Sequence, residues 1–396
     1  MKAIGMYIFG GSQTIGHIKA GWDVTRVLEM TEDMKDNNSY HFVKNYPGIP
    51  VVLPSEWNNE SYINDLKKHN YDLLFANPPC SGLSSINRNA SVDNDINKHI
   101  YEVINMINAI EPKSFLIENA PTLIARGLPI LKDAQNILKD KYRLTIITDL
   151  AGNHDVPMYR KRTLVVGWKR DTFNCIPMIS QKVSGLYTVG EALEGLSSDS
   201  PNMDKIPLND KYDFSRFYHD VSQGETVVKY LCNHLSDVKD KLTDDELRLI
   251  LVNKEKYDKG GSVWDKSPLR LELNGRAPSI TSVNRYIHPV DDRDIYVREC
   301  ARLMGYPDDF IFYSGSNISI IQCVAQGVPV NFIKYISKEI KSQLENSVYY
   351  EKDCDVMYIN QANGIQKITT FKTNEFQNCS KIDRNDSTDM KEVSLW

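Results

Sequence analysis

The sequence has no excess of basic residues. Its 396 residues carry 47 Lys and Arg against 52 Asp and Glu, which gives a formal net charge of −5. Proteins that bind nucleic acid usually carry a basic excess, so the overall charge argues mildly against that class. Net charge averages over all faces, however, and a basic cleft is compatible with an acidic remainder. Local patterns must therefore decide the question.

Long apolar runs and a secretion signal are also lacking. No apolar stretch approaches the roughly 20 residues that a membrane-spanning helix needs. The opening segment, MKAIGMYIFGGSQTIG, reaches glycines and polar residues too early for a signal peptide. We therefore expect a cytoplasmic protein that does not associate with membranes.

The cysteines lack any pairing pattern. There are seven of them, and none belongs to a C-x-x-C sequence. An odd number of cysteines without a secretion signal argues against a disulfide framework and against a zinc ribbon. We expect reduced thiols and no metal site. A cysteine with a special role must be identified by its surroundings.

Apolar segments alternate with helical patterns over residues 1–170. The first strand is followed by Gly10-Gly11-Ser12, a helix, and a second strand that ends at Glu29. Further strands are predicted at Tyr71–Ala76, Ser114–Ile117, Tyr142–Thr148 and Thr163–Trp168. This alternation predicts an α/β fold, with a mostly parallel sheet and helices on both of its faces.

The alternation fades after residue 170, and the rest of the chain divides into three regions. Residues 171–285 hold loops and at least one helix, and residues 286–345 hold a predicted Arg/Glu-rich helix at Tyr296–Met304 and an apolar helix at Asn331–Ile340. Residues 346–396 form a polar tail in which Val356–Phe371 is a candidate hairpin. We expect the end of this tail to be disordered.

Reactive and polar residues follow two of the predicted strands. Asn77-Pro78-Pro79-Cys80 comes after the strand Tyr71–Ala76, and Glu118-Asn119 ends the next one. In open α/β sheets, ligands bind at the carboxyl ends of strands, so Cys80 and Glu118 are expected to face one cleft. A thiolate there could attack a bound ring while the carboxyl group hydrogen-bonds to it or protonates it. Each residue alone also fits a purely structural interpretation.

Two further segments add arginines to this pattern. Arg160 and Arg162 alternate just before the strand TLVVGW, so both point to one face if the strand has begun. Two guanidinium groups on one face can bind a phosphate and a carbonyl oxygen. The segment RDIYVRECARLMGYPDDF, residues 293–310, joins a charged helix to a turn and has no chemical meaning by itself.

In their order and spacing, these segments resemble the motifs of the cytosine-5 DNA methyltransferase family. Pro79-Cys80 with Ser84 is similar to the family's P-C-x-x-x-S nucleophile loop. The other matching segments are Glu118-Asn119-Ala120 (E-N-V), Met158–Arg162 (Q-x-R-x-R), Arg298–Pro307 (R-E-x-A-R-L-x-G-F-P) and Ala325–Pro329 (G-N-A/S-V-P). The resemblance covers about residues 5–340, with a divergent middle.

The resemblance implies a Rossmann-like class I methyltransferase domain with an inserted, smaller target-recognition domain. Residues 1–170 would form the catalytic and cofactor-binding domain, residues 171–285 the target-recognition domain, and residues 286–345 the return to the catalytic domain. The implied partner is double-stranded DNA, bound by a monomer, with a cognate restriction endonuclease as a possible further partner. The abundance of Asn, Ile and Lys indicates an AT-rich genome, as bacteria and phages have, and restriction–modification, phage self-protection and a regulatory system all stay open.

The resemblance also implies roles for individual residues. Cys80 would add to carbon 6 of a flipped-out cytosine, and Glu118 would hydrogen-bond to ring nitrogen 3. Carbon 5 would then take a methyl group from S-adenosylmethionine. Arg162 would contact the cytosine carbonyl, Arg160 would support the loop or the DNA backbone, and Asn119 would orient its neighbours. The implied cofactor-binding residues are Phe9, Gly10, Gly11, Glu29, Pro79 and Gln326.

Candidate DNA-contacting residues are less specific. Asn87 and Arg88 follow the nucleophile loop, and six basic residues of the middle region could face the major groove. They are Arg216, Lys229, Arg248, Lys254, Lys256 and Lys259. We expect basic residues to cluster on the face that holds Cys80, Arg160 and Arg162, because DNA senses the cleft rather than the net charge.

Several positions depart from the family pattern. Phe9 and Ser12 stand where the family has glycines, Met158 replaces its usual Gln, and Gln326 replaces its usual Asn. No residue clearly matches the family's adenine-contacting Asp, for which Glu56 is a candidate. These departures leave open an active enzyme with an altered cofactor loop or a weakened protein that still binds DNA.

Two enzymatic alternatives also stay open. An RNA cytosine methyltransferase would share the fold and the motifs. The letters Asn77-Pro78-Pro79-Cys80 also resemble the N-P-P-Y loop of amino methyltransferases, but cysteine cannot stack on a base as that family's aromatic residue does.

Overall fold

A mixed β-sheet flanked by helices forms the centre of the molecule. The computed structural model describes residues 1–35, 38–84, 87, 89–179, 185–203, 212–260, 267–281, 285–313, 317–349, 353–361 and 366–382. The strands are β1 (Lys2–Met6), β2 (Asp23–Leu28), β3 (Val51–Val52), β4 (Leu73–Ala76), β5 (Ser114–Asn119), β6 (Tyr142–Leu150), β7 (Met158–Tyr159), β8 (Lys161–Lys169), β9 (Leu269–Arg270), β10 (Ala277–Pro278), β11 (Tyr286–Ile287), β12 (Val356–Asn360) and β13 (Lys367–Phe371). The helices are α1 (Ser12–Lys19), α2 (Ser39–Asn45), α3 (Pro54–Trp57), α4 (Glu60–Lys68), α5 (Lys98–Ile110), α6 (Leu128–Leu138), α7 (Val189–Leu193), α8 (Val227–Asn233), α9 (Leu235–Val238), α10 (Asp244–Asp258), α11 (Val297–Leu303), α12 (Asn317–Gln326), α13 (Val330–Glu345) and α14 (Thr373–Asn378).

The main sheet has nine strands in the order β13-β12-β6-β8-β5-β4-β1-β2-β3. Strand β8 runs antiparallel to its neighbours β5 and β6, and β13 runs antiparallel to β12. The other neighbouring strands of the sheet are parallel. The predicted α/β fold with a mostly parallel sheet is therefore confirmed. The carboxyl ends of β1, β4, β5 and β6 meet at one edge of the sheet.

The central strands are apolar on both faces because helices cover both. Along β4, Leu73 and Phe75 pack into one hydrophobic core, while Leu74 and Ala76 pack into another on the opposite face. Each fully buried leucine or phenylalanine contributes about 1.5–3 kcal/mol relative to exposure. Residues of a strand that is buried on both faces form a continuous apolar run, which is why the segment YDLLFA predicts this strand.

Helices α11, α12 and α13 pack into the same hydrophobic core as the first elements of the chain. Helix α13 packs closely on α1, because a Cβ atom at Gly16 would lie 2.7 Å from Ile333. The middle region has a separate small core around Phe217, Leu231 and Ile250. This core is compatible with an inserted domain, but the boundaries of residues 171–285 stay a prediction.

The C-terminal region requires a correction to the expected polar tail. The candidate hairpin forms as β12 and β13, and β12 pairs in parallel with β6 of the main sheet. Residues 346–396 therefore begin with a structural part of the sheet. An ion pair of 2.7 Å between Arg170, just after β8, and Asp355, just before β12, also connects this region to the main sheet. The expected disorder of the last residues lies outside the described part of the chain.

Two further features bear on the expectations from composition. None of the helices in the described ranges is long and apolar enough to cross a membrane. All seven cysteines are free thiols.

Candidate active site

Cys80 lies on a tight loop just beyond the carboxyl end of β4. The backbone N–H groups of Leu83 and Ser84 both donate to the Cys80 carbonyl oxygen, at 3.0 and 2.9 Å. Gly82 packs against Asn97, where a Cβ atom would lie only 2.3 Å from Oδ1. The close approach at Gly82 therefore fixes the path of the loop after the cysteine.

Two side chains tie this loop to the next strand and helix. Asn119 Nδ2 donates to the Pro78 carbonyl oxygen at 3.2 Å, so the end of β5 holds the Pro-Pro turn. Arg126 Nη1 donates to the Leu83 carbonyl oxygen at 2.8 Å. Sequence reasoning missed Arg126, because an isolated arginine before a helix carries no signal of its own. Asn87 closes the loop by donating to the Ser81 carbonyl oxygen at 2.8 Å.

Glu118 and Arg162 form a buried ion pair next to this loop, with 2.8 Å between Oε1 and Nε. The antiparallel pairing of β5 with β8 places Glu118 opposite Leu164, two residues after Arg162, so both side chains share one face. Burial raises the pKa of Glu118, while Arg162 and Arg160 oppose that rise. The carboxyl group of Glu118 therefore keeps its proton to a higher pH than an exposed carboxyl group does.

The thiol of Cys80 interacts with the same charges. Burial raises its pKa, Arg162 lowers it, Glu118 raises it and Arg160 lowers it. The net direction is upward, so the resting group is the neutral thiol rather than a thiolate. A role of this thiol as a nucleophile would therefore require that the thiol lose its proton when the substrate binds.

Arg160 supports loops and is not available to a ligand in this structure. Its side chain is buried, and it donates to the carbonyl oxygens of Ile280, Ala325 and Gly327 at 3.0, 2.6 and 2.7 Å. The alternation argument required a strand at Arg160, whereas β8 begins at the next residue. Of the two roles expected for Arg160, these contacts fit support of the loop.

Replacing Arg160 by methionine is expected to lower the free energy of unfolding by about 3 kcal/mol, because three charge-assisted hydrogen bonds disappear. Chemical denaturation of both proteins would measure the difference. Lys161→Met is the matched control, since Lys161 is the exposed neighbour. A loss at Arg160 no larger than the control's would contradict this structural role.

The predicted cofactor residues gather around the loop between β1 and α1. Gly10 has no room for a Cβ atom, which would lie 2.4 Å from Cys323 Sγ. Gly11 adopts a φ of 84° and faces Phe42. Ser12, which replaces a family glycine, accepts a hydrogen bond from the Val328 backbone N–H at 3.0 Å. The altered loop is thus joined to the segment that contains Gln326.

Other predicted residues complete this side of the site. Glu29 is fully buried at the end of β2 and accepts hydrogen bonds from the N–H groups of Ile8 and Met30, at 3.3 and 3.1 Å. Burial raises the pKa of Glu29 to about 7, although these two N–H groups oppose the rise. Gln326 accepts a hydrogen bond from Asn38 at 2.9 Å. Pro79 is buried, and Phe9 is buried with a φ of 48°.

Unpaired polar atoms near this loop fit a polar cofactor. Both amide atoms of Gln13, Thr14 Oγ1 and Asn77 Nδ2 are buried without a hydrogen-bond partner among the described residues. Such groups are costly unless something pairs with them. Glu56 instead accepts a hydrogen bond from the Leu53 backbone N–H at 3.0 Å, which caps its own helix. Glu56 therefore has a structural role in this structure.

The basic residues of the middle region are mostly engaged locally. Arg216 pairs with Glu246 at 2.6 Å, and Lys254 and Lys259 pair with acids on α10 at 3.2 and 2.6 Å. Arg248 lies 3.9 Å from Asp245 and is 80% exposed. Such pairs are typical of a solvated helix face. A role of these residues and of Lys229 and Lys256 in DNA reading stays a prediction, and Arg88 lies outside the described residues.

Two groups of buried side chains connect separate segments of the chain. Arg298 is fully buried and donates to backbone carbonyl oxygens that include those of Pro201 and Pro307, at 2.8 and 3.0 Å. The sequence gives no signal of the second group. Asp149 at the end of β6 binds His154 at 2.5 Å and also accepts from Gln361 of the C-terminal hairpin. This buried cluster braces the loop that leads to Arg160.

Comparison with known proteins gives consistent matches. A sequence model of the C-5 cytosine-specific DNA methylase family matches residues 13–342. The chain is similar to the type II methyltransferase M.MthTI of Methanothermobacter thermautotrophicus, with 26% identity over 354 residues that cover 85% of this chain and 95% of the relative. It is also similar to the type II methyltransferase M1.HgaI of Avibacterium volantium, with 27% identity over 76% of this chain and 87% of the relative. A solved structure of a proposed DNA modification methyltransferase from an E. coli prophage shares the fold, with a TM-score of 0.61 at 21% identity, covering 87% of this chain and 100% of that chain.

Proposed function

The chain belongs to the C-5 cytosine-specific DNA methylase family, and we propose that Cys80, Glu118 and Arg162 perform its reaction on a flipped-out cytosine of double-stranded DNA. As a member of this family it is a DNA cytosine-5 methyltransferase that uses S-adenosylmethionine. One observation carries the assignment of residues. The ion pair of Glu118 with Arg162 lies close enough to Cys80 that both charges shift the pKa of its thiol.

The first task of these residues is to make carbon 5 of cytosine nucleophilic. The thiol of Cys80 loses its proton and its sulfur adds to carbon 6, which breaks the ring's 5,6 double bond. The electron pair moves toward ring nitrogen 3, where Glu118 donates a hydrogen bond or a proton. Because burial raises the pKa of Glu118, its carboxyl group is suited to carry that proton.

Arg162 has two functions in this proposal. It balances the charge of Glu118 and can donate to the cytosine carbonyl oxygen with N–H groups that the ion pair does not use. S-adenosylmethionine, when bound, supplies the methyl group to carbon 5. A base then removes the proton from carbon 5, the 5,6 double bond re-forms as Cys80 leaves as the thiolate, and ring nitrogen 3 returns its proton to the Glu118 carboxylate.

The cofactor would be held by the loop between β1 and α1 together with Glu29. Gly10 and Gly11 let the backbone of this loop pack directly against Cys323 and Phe42, and the amide of Gln13 is buried without a hydrogen-bond partner among the described residues. In this proposal the Glu29 carboxylate would accept hydrogen bonds from the ribose hydroxyl groups. Gln326 and Pro79 would line the same pocket.

Purified protein tests this function directly. Labelled S-adenosylmethionine and mixed-sequence duplex DNA should give labelled 5-methylcytosine, and bisulfite sequencing should locate it. A duplex that contains 5-fluorocytosine should form a complex with Cys80 that survives denaturing electrophoresis, because fluorine blocks the final elimination. Transfer to an exocyclic amine, or to RNA alone, would refute the proposal.

Glu29→Gln is expected to weaken cofactor binding about 10- to 100-fold at pH 8 and to make the stability of the free protein less dependent on pH. The carboxylate is lost as an acceptor of two hydroxyl hydrogen bonds. The pKa of Glu29 is about 7 in the folded protein, above its ordinary value, so its contribution to stability is present at low pH and lost as the pH rises through 7. Glutamine stays neutral, so the variant does not lose this contribution to stability as the pH rises.

Calorimetry with S-adenosylmethionine at pH 6 and pH 8, with thermal unfolding of the free proteins, would measure both effects. Affinity of the unchanged protein should fall below pH 7, since Glu29 must then lose a proton to accept both hydroxyl groups. Affinity of the Gln variant should not depend on pH in this range. A variant that binds normally would remove Glu29 from the cofactor site.

The biological setting is proposed from the relatives. Because similar proteins are named type II methyltransferases, we assign this enzyme to restriction–modification in the cytoplasm of a bacterium or a phage-infected cell. It would act as a monomer, with a restriction endonuclease that recognises the same DNA sequence as its functional partner. Methylation mapping would give that sequence.

A further inference from the structure

An exposed tyrosine lies on β7, three residues before the Arg162 of the proposed catalytic pair. Tyr159 is 55% exposed, although its neighbours Met158 and Arg160 on either side are buried. The Ser279 hydroxyl donates to the Tyr159 carbonyl oxygen at 2.9 Å, and β7 pairs Tyr159 with Pro278. The backbone is therefore fixed while the ring faces solvent.

This position is close to the proposed catalytic residues. Tyr159 precedes Arg162 by three residues, and a span of three residues covers at most about 10 Å. Arg162 in turn contacts Glu118 at 2.8 Å. Tyr159 and the Arg162 of the proposed catalytic pair therefore belong to one short segment of the chain.

A guanidinium group without an acidic partner lies beside the ring. The Arg276 Cζ atom is 5.9 Å from the centre of the Tyr159 ring. Arg276 packs over Gly152, where a Cβ atom would come within 3.1 Å of it. Its Nε atom is buried without a hydrogen-bond partner among the described residues. No ion pair joins Arg276 to a carboxylate in the described part of the chain, whereas many other arginines of this protein have one.

We propose that Tyr159 and Arg276 form a clamp for the DNA strand that carries the target cytosine. Arg276 binds a backbone phosphate beside the flipped nucleotide, and the Tyr159 ring stacks on the neighbouring nucleotide. An unpaired guanidinium suits a phosphate, and an exposed aromatic ring stacks on bases of any sequence. The inference rests on the proposed function, since it places the DNA at the same cleft.

Salt-dependent DNA binding tests the Arg276 contact. With a fluorescein-labelled mixed-sequence duplex, log Kd against log salt concentration measures the number of phosphate contacts. Arg276→Ala should reduce this slope by about 1, and Arg276→Lys, which keeps the charge, should retain it. Lys68→Ala is the control, because Lys68 on α4 is 76% exposed and lies outside the cleft.

Base stacking tests the Tyr159 contact. Tyr159→Ala should weaken duplex binding about tenfold, whereas Tyr159→Phe should bind normally because the ring is retained. Tyr349→Ala, a change of an exposed tyrosine beyond the end of α13, should have no effect. Affinity for S-adenosylmethionine should be the same in all variants, which shows that each one is folded.

These measurements separate the clamp from the catalytic assignment. An unchanged salt slope in Arg276→Ala, or unchanged duplex affinity in Tyr159→Ala, would overturn the clamp even if the protein methylates DNA. A reduced slope and weaker binding would support the clamp even if Cys80 formed no complex with 5-fluorocytosine.

Discussion

Replacing Cys80 by serine is expected to reduce methyl transfer at least about 10⁴-fold while leaving cofactor and DNA binding intact. A serine hydroxyl is a weaker nucleophile than a thiol and far harder to deprotonate. The surroundings of Cys80 do not compensate, because burial already raises the pKa of the thiol despite the opposing effects of Arg162 and Arg160. A hydroxyl at this position would have no strong base to activate it.

Single-turnover methylation would measure this loss, and the 5-fluorocytosine duplex would show that the covalent complex disappears. Cys175→Ser is the matched control, since Cys175 is also a free, partly exposed cysteine but does not lie on the β4 loop. The control should methylate DNA at the normal rate. Transfer by Cys80→Ser at a rate near that of the control would show that the nucleophile is assigned wrongly.

Glu118→Gln is expected to lower kcat about 10²- to 10⁴-fold with little change in DNA affinity. The glutamine amide can still donate a hydrogen bond to ring nitrogen 3, but it cannot transfer a proton there. The substitution also removes the negative partner of Arg162, whose Nε atom is 2.8 Å from the carboxylate. The loss should therefore fall on the addition step and not on DNA recognition.

The pH profile distinguishes this role from a structural one. The pKa of Glu118 is raised by burial, so the protonated carboxyl group declines as the pH rises through that value. Activity of the unchanged enzyme that depends on this proton should decline with it, and the residual activity of the Gln variant should not. Glu111→Gln is the control, because Glu111 pairs with Lys141 at 3.0 Å and precedes β5 at the opposite edge of the sheet. An unchanged kcat in Glu118→Gln would exclude proton donation by Glu118.

The fold could be predicted well where the chain repeats a simple pattern. The apolar segments that became β4, β5, β6 and β8 are long enough, and flanked clearly enough, for the α/β fold to follow from them. The hairpin of β12 and β13 was also visible in the sequence. Its place beside β6 was not, because strand order depends on contacts between residues more than 200 positions apart.

The candidate site shows the same division. Cys80 and Glu118 could be identified because Cys80 follows β4 and Glu118 lies near the end of β5, and the carboxyl ends of these strands meet at one edge. Arg160 could be noticed but not interpreted, since its hydrogen bonds go to three carbonyl oxygens in two segments that are distant in sequence. Arg126 and the cluster of Asp149, His154 and Gln361 carry no local signal, and they appear only when separate segments meet.

The sequence by itself determined the family, the order of the motifs and the residue types that the chemistry needs. A thiol, a carboxyl group and guanidinium groups are covalent properties, and their spacing along strands is local. Only the tertiary structure decided which charged side chains are buried together and in which direction burial shifts each pKa. It also decided that Arg160 binds backbone carbonyl oxygens whereas Arg162 pairs with Glu118. Those quantities depend on distances between parts of the chain that are remote in sequence and on the water that folding excludes.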